Sequence, residues 1–142
     1  MTEQELQQYI RQRYPEENAR CEWKEMKNLK NSFNGKEGND VLSYVSAIAN
    51  MEGGELVIGI KDKTLDIVGT DLSALTFNGF MATPLTATFK LVEQCVNLSS
   101  EGLRIEEFVT DDSNKTVWII HIPKHKPRRP VYAHRKAWQR IA

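Results

Sequence analysis

The stretch Ala47-Ile48-Ala49-Asn50-Met51-Glu52-Gly53-Gly54-Glu55-Leu56-Val57-Ile58-Gly59-Ile60-Lys61-Asp62 decides how this chain folds. Its start completes a helix in which Val41, Val45, Ile48 and Ala49 share one face, with Asn39 or Asp40 as N-cap. The double glycine ends that helix, because glycine takes the positive φ of a helix C-cap without steric cost. Glu55 to Lys61 is then nearly all apolar, which predicts a central strand covered on both faces. Leu56 to Ile60 is the longest apolar run, strand-sized and far short of the roughly 20 residues a membrane helix needs.

Working outward, Glu3 to Arg13 has helical composition, with Thr2 and Glu5 spaced as a capping box and Pro15 as a stop. Residues 20–26 alternate, with Cys21 and Trp23 on one side and Glu22 and Lys24 on the other, as in a half-buried strand. Asn31 to Gly38 reads as a loop, Ile67-Val68-Gly69 as the start of a short strand, and residues 71–80 as ambiguous. Pro84 opens a third helix to about Val96, with Phe89, Val92 and Val96 along one side. Leu103 to Val109 and Thr116 to Ile122 form a hairpin across a polar turn. Two short strands, Pro130 to Ala133 and Ala137 to Ile141, are expected to follow a basic loop. This order predicts a single α+β domain over residues 1–142, with a mixed β-sheet and about three helices.

Charge is unevenly spread. The chain balances 19 Lys and Arg against 19 Asp and Glu, but residues 113–142 hold eight of the cations and none of the acids. The preceding residues are correspondingly acidic, so a neutral total conceals a basic C-terminal segment suited to a polyanion. Lys124, Lys126, Arg128, Arg129, Arg135 and Arg140 are the candidate phosphate contacts, with Tyr132 and Trp138 interleaved as supports or stacking platforms. Cys21 and Cys95 form neither a CxxC pair nor a disulfide framework, which fits buried thiols in a reducing cytoplasm.

A second candidate is acidic. Glu17, Glu22 and Asp62 could converge if the strands bearing the latter two are neighbours, and convergent carboxylates hold Mg²⁺ or Mn²⁺. The bland alternative is solvated acids at strand ends. Gly53-Gly54 lacks the Gly-Lys-Ser/Thr of a phosphate-binding loop, and a dinucleotide fingerprint would follow a strand rather than precede it. His121, His125 and His134 lack the shared helix face and further ligands of a zinc site.

Several of these segments together resemble the Schlafen AlbA-like family. The resemblance rests on Glu17, Glu22-Trp23-Lys24, Ala47-Ile48-Ala49-Asn50-Met51-Glu52-Gly53-Gly54, Leu56-Val57-Ile58-Gly59-Ile60-Lys61-Asp62, Ile67-Val68-Gly69 and Arg129-Pro130-Val131-Tyr132. Trp23 replaces the family's usual Phe, no proline stands near Val96-Asn97-Leu98, and Gln139-Arg140-Ile141-Ala142 ends without the family's Gly. The resemblance implies a nucleic-acid-binding domain of a transcriptional regulator, either free-standing or the N-terminal piece of a longer protein, needing no cofactor to bind DNA or RNA. In the animal Schlafen branch related domains cleave tRNA or rRNA. By motif position this implies an alternative, a Mg²⁺- or Mn²⁺-dependent endoribonuclease with Glu17, Glu22 and Asp62 around the metal and Lys24 beside the scissile phosphate. Because those animal enzymes clasp RNA between two lobes, the resemblance also implies a homodimer.

Overall fold

A computed structural model describes residues 1–15, 21–24, 38, 40–61, 64–70, 76–77, 80–81 and 83–139. Its elements, in chain order, are α1 (Glu3–Arg13), β1 (Cys21–Lys24), α2 (Val41–Asn50), β2 (Gly54–Ile58), β3 (Thr76–Phe77), β4 (Phe80–Met81), α3 (Pro84–Gln94), β5 (Arg104–Val109) and β6 (Thr116–Ile122). The α+β architecture is therefore as the sequence predicts, with a mixed four-stranded sheet in the order β1-β2-β6-β5 and a small β3-β4 pair.

The quoted stretch explains this topology. β1 and β2 are parallel, with Glu22 beside Leu56 and Lys24 beside Ile58. A parallel pair needs a crossover, and α2 supplies it. β2 then pairs antiparallel with β6, which pairs antiparallel with β5. β2 is thus central, and Leu56, Val57 and Ile58 are each fully buried because both sheet faces are covered. Leu56, Ile58, Trp118 and Ile120 pack under α2 and α3. Val57, Val117 and Ile119 pack on the opposite face, with Leu6 and Ile10 of α1. No helix among the described residues is long and apolar enough to cross a membrane.

Local chemistry seats the helices. Thr2 and Glu5 form the expected capping box. The β5–β6 turn holds the same helix end: Met1's amino group pairs with Asp111 at 2.5 Å and Glu3 N donates to Asp112 Oδ1 at 2.9 Å. These acids sit where a helix N-terminus favours negative charge. Asp40, the N-cap of α2, accepts from Ser43 N at 3.0 Å and Ser43 Oγ at 2.7 Å.

The third helix departs from a simple reading of its apolar residues. It buries Ala87, Lys90 and Leu91, while Leu85, Phe89 and Val92 face outward. Small Ala87 allows close approach to the sheet, and Leu91 and Cys95 complete the contact with the core. Ile67 makes a single bridge to Ile60 rather than a strand. Gly59 explains why: its φ is +107°, its carbonyl already accepts from both Val68 and Gly69 at 2.8 Å, and the chain bends away.

Gly53 is required for a different reason. Its φ is +74°, and a Cβ there would lie 2.7 Å from Lys124 N and 2.8 Å from Ile122 O. Both are backbone atoms that cannot step aside. Gly53→Ala is therefore expected to cost about 2–3 kcal/mol from left-handed strain and overlap. A urea unfolding midpoint equal to that of the wild type would contradict this.

Candidate functional site

The basic segment leaves β6 at Pro123 and forms two tight turns. In the first, Arg129 N donates to Lys126 O at 3.0 Å. Pro127 sets the φ of the second turn position, and Arg128 takes φ +60° at the third, the pattern of a type II turn. In the second, Ala133 and Lys136 exchange backbone hydrogen bonds of 2.9 and 3.0 Å across His134 and Arg135, whose φ values are +53° and +65°. Two consecutive positive φ angles match a type I′ turn. Among the described residues, the expected strands over Pro130 to Ala133 and Ala137 to Ile141 show no ladder. Single bridges link Lys126 to Arg129, Ala133 to Lys136 and Val96 to Tyr132. Residues 140–142 lie outside the described residues.

Beyond these bridges, several backbone groups of the segment go to side chains, and α2 supplies most of those partners. Asn50 Nδ2 donates to Val131 O at 2.9 Å and to Trp138 O at 2.8 Å, while Asn50 Oδ1 accepts from Val131 N at 2.7 Å. Ser46 Oγ donates to Val131 O at 2.7 Å and accepts from Trp138 N at 3.3 Å. His125 N donates to Ala49 O at 2.9 Å, which satisfies a carbonyl near the helix end. At the other end of α2, His134 Nε2 lies 2.8 Å from Oδ2 of the fully buried Asp40. On the α3 side, Asn97 Nδ2 donates to Pro130 O at 3.0 Å. Asn50 thus acts as a clasp across 81 residues of sequence. The sequence reading saw only a helix end here, because no local spacing signals a partner so far along the chain.

The clasp fixes the backbone and leaves the cations outside. Lys124, Lys126, Arg128, Arg129, Arg135 and Lys136 are all exposed. Lys124 Nζ lies 3.2 Å from Glu52 Oε2, and Lys136 Nζ lies 5.6 Å from the Trp138 ring centroid. The predicted cation Arg140 lies outside the described residues. The two aromatic rings divide the roles expected of them. Trp138 packs against the core and donates Nε1–H to Ala133 O at 2.9 Å, so it supports the second turn. Tyr132 remains 36% exposed between the two turns in sequence.

The acidic candidate is described only at Glu22 and Lys24; Glu17 and Asp62 lie outside the described residues. β1 and β2 are neighbours, as the convergence idea requires. Glu22 is not a solvated acid at a strand end. It is 5% exposed, and Lys24 Nζ lies 3.1 Å from its Oε1. Lys24 Nζ also sits 4.9 Å from the ring centroid of Tyr44 on α2. Burial works against the Lys24 ammonium, but hydrogen bonds to Tyr44 and Glu22 outweigh it and hold its pKa above the ordinary lysine value. One described carboxylate does not make a divalent site, and no group of three His, Cys, Asp or Glu is placed to hold a metal among the described residues. The histidines are dispersed: His121 pairs with Glu106 at 2.5 Å, whereas His134 pairs with Asp40.

The family model described as Schlafen, AlbA_2 matches residues 17–142. No curated protein matches the chain significantly. Among solved structures, the crystal structure of the DIP2311 protein from Corynebacterium diphtheriae is similar with a TM-score of 0.52 at 18% identity. That match covers 85% of this chain and 23% of the other, so this chain spans under a quarter of its length. The solution structure of the N-terminal domain of a RecG-related protein from Nitrosomonas europaea matches with a TM-score of 0.46 at 21% identity, covering 100% of this chain and 90% of that one.

Removing the Asn50 side chain tests the clasp. Asn50→Ala should destabilise the fold by about 2–3 kcal/mol, because Val131 N loses its partner and two carbonyls lose a donor. Trypsin should also cleave faster after Lys124, Arg128 and Arg135. Wild-type stability with wild-type digestion would place the anchoring elsewhere.

Proposed function

The chain belongs to the Schlafen AlbA_2 family, and from that premise we propose that it is a nucleic-acid-binding domain whose basic C-terminal segment grips phosphates, in the setting of a transcriptional regulator. The observation that carries this reading is the presentation of the cations. Lys126, Arg128, Arg129 and Arg135 are exposed on two closed turns whose backbones are tied to α2 and to the end of α3. Cations on a fixed backbone lose less conformational entropy on binding than cations on a free tail. Guanidinium groups also suit phosphate through their planar donor fork. Exposed Tyr132 adds a ring on which a base can stack. The acidic charge of the rest of the chain strengthens the case for this one segment as the contact surface, since phosphates avoid like charge.

The test is binding of fluorescent single-stranded DNA, duplex DNA and RNA by anisotropy across a salt series. Log affinity should fall linearly with log salt, by about 0.7–0.9 per phosphate contact. The double variant Arg128→Ala/Arg129→Ala should weaken binding to every sequence and flatten that slope by roughly 1.5–2. Unchanged affinity and slope in this variant would sink the reading.

A second reading is supported by the burial of Glu22 against Lys24. In it the domain is a Mg²⁺- or Mn²⁺-dependent ribonuclease, with Glu17, Glu22 and Asp62 as the carboxylates that would hold the ion and Lys24 placed for phosphate. A bound divalent ion would supply an activated water and charge neutralisation. The residue-level argument is narrower. A buried carboxyl beside a lysine offers an oxygen ligand, and the same lysine can turn to an incoming phosphate. Incubation of tRNA with Mn²⁺ and the wild-type protein should give discrete fragments, and Glu22→Gln should abolish them. Cleavage at the wild-type rate by Glu22→Gln would assign the activity to a contaminant.

A further inference from the structure

The cations of the basic turns account for a grip on phosphate, but not for the apolar shelf beside them. Val96, just past the end of α3, and Tyr132 exchange both backbone hydrogen bonds: Val96 N donates to Tyr132 O at 2.9 Å and Tyr132 N to Val96 O at 3.0 Å. Residues paired in this way stand directly opposite one another, with their side chains on the same face. Val96 is 58% exposed and Tyr132 36%. A third bond, from Asn97 Nδ2 to Pro130 O at 3.0 Å, ties the same two stretches together.

The neighbours of these two residues dictate that they face out. Asn50 holds both backbone groups of Val131, and Val131 and Ala133 are fully buried. Successive side chains of an extended segment alternate, so the ring between those two points to solvent. On the other stretch Cys95 is fully buried and Val96 turns outward. An aromatic ring and a branched aliphatic side chain are thus presented side by side in water, on backbones anchored through the residues next to them.

We propose that this shelf is a base-stacking platform and that the substrate class of the domain is single-stranded rather than duplex nucleic acid, a narrowing that rests on the nucleic-acid reading of the basic turns. Charge selects this occupant. Tyr132 stands three residues after Arg129 and three before Arg135, and both of these cations are exposed, one on each closed turn. Cations on either side of an exposed ring are the combination that holds a single strand: the charges track the backbone and the ring takes a base face. An apolar protein surface seated on the shelf would desolvate those cations without a counter-charge. A single strand supplies both the anion and the flat apolar face. A duplex keeps its base faces stacked inside and shows only edges and backbone, so it can use the cations but not the shelf. The acid nearest Val96 in sequence, Glu93, lies 3.9 Å from the Lys90 ammonium, which offsets part of its repulsion for phosphate.

The experiment is a set of anisotropy titrations of the whole chain with single-stranded DNA, single-stranded RNA and the matching duplexes. The wild type should bind at least one single strand about 10-fold or more tighter than its duplex. Tyr132→Leu keeps apolar bulk but has no ring, and should lose roughly 5- to 100-fold in single-strand affinity, the range that stacking on one aromatic supplies. Its duplex affinity and salt slope should stay as in the wild type, since no phosphate contact is removed. Tyr132→Phe and Tyr132→Trp should restore the single-strand preference. Should the leucine variant fold poorly by circular dichroism, photocross-linking of the wild type to a strand carrying iodouracil gives a second readout, with Tyr132 the residue expected to be attached. Equal affinity for single strand and duplex would overturn the proposal. So would wild-type single-strand binding by Tyr132→Leu, or a cross-link formed elsewhere. The Arg128→Ala/Arg129→Ala variant separates the two failures. Unchanged binding there sinks the nucleic-acid reading itself, whereas weakened binding to both forms alongside an inert Tyr132→Leu sinks only the platform.

Discussion

Asn50 is the residue on which the arrangement turns. Its side chain holds both backbone groups of Val131 and the carbonyl of Trp138. Without those bonds a segment containing three positive-φ residues, Arg128, His134 and Arg135, would have little reason to stay in place. Such conformations cost on the order of 1 kcal/mol or more each in non-glycine residues, and they persist where the surroundings over-determine them. The clasp supplies that determination through α2. Gly53 must be a glycine because the end of β6 and the residues after it, Ile122 to Lys124, pass directly over it, and any Cβ would strike their backbone.

Helix α2 thereby serves both candidate sites. Its Ser46 and Asn50 hold the basic segment, and its N-cap Asp40 meets His134. Its Tyr44 meets Lys24, the partner of Glu22. The Glu22–Lys24 pair and the basic segment therefore both meet one short helix. Phosphate gripped by the turns and phosphate approached by Lys24 would be positioned by the same rigid element, which gives the binding and cleavage readings a common frame.

What could be read in advance follows the range of the interactions involved. The α1 capping box, the α2 N-cap and the strand after Gly54 rest on neighbours within a few residues, and the amino-acid order carries them directly. The β5–β6 hairpin is equally local. The region after Pro130 misleads because its alternating apolar residues resemble strands, while Val131 and Trp138 bond to side chains of a helix more than 80 residues away in sequence. α3 misleads differently. Its apolar residues make two stripes, and a helical repeat does not say which one meets the sheet; small Ala87 decides it by allowing close packing. Of the candidate site residues, the exposed cations of the turns were legible from composition. The burial of Glu22 was not, since β1 alternation places it opposite Cys21 and Trp23 without revealing that α2 covers that side as well.

The zero net charge takes on a physical meaning in this setting. A basic segment on an acidic body would ordinarily fold back onto it, and exposed ion pairs would consume its cations. Here the backbone clasp prevents that collapse by holding the turns through hydrogen bonds instead of charge. Among the described residues of the basic segment, Lys115 pairs with Glu3 at 2.8 Å and Lys124 with Glu52 at 3.2 Å. Arg128, Arg129 and Arg135 stay exposed. Hydrogen bonds to neutral Asn50 and Ser46 do not weaken with salt as ion pairs do. The presentation of the cations should therefore survive the ionic strengths that modulate what they bind, and this separates the scaffold's stability from the ligand's affinity.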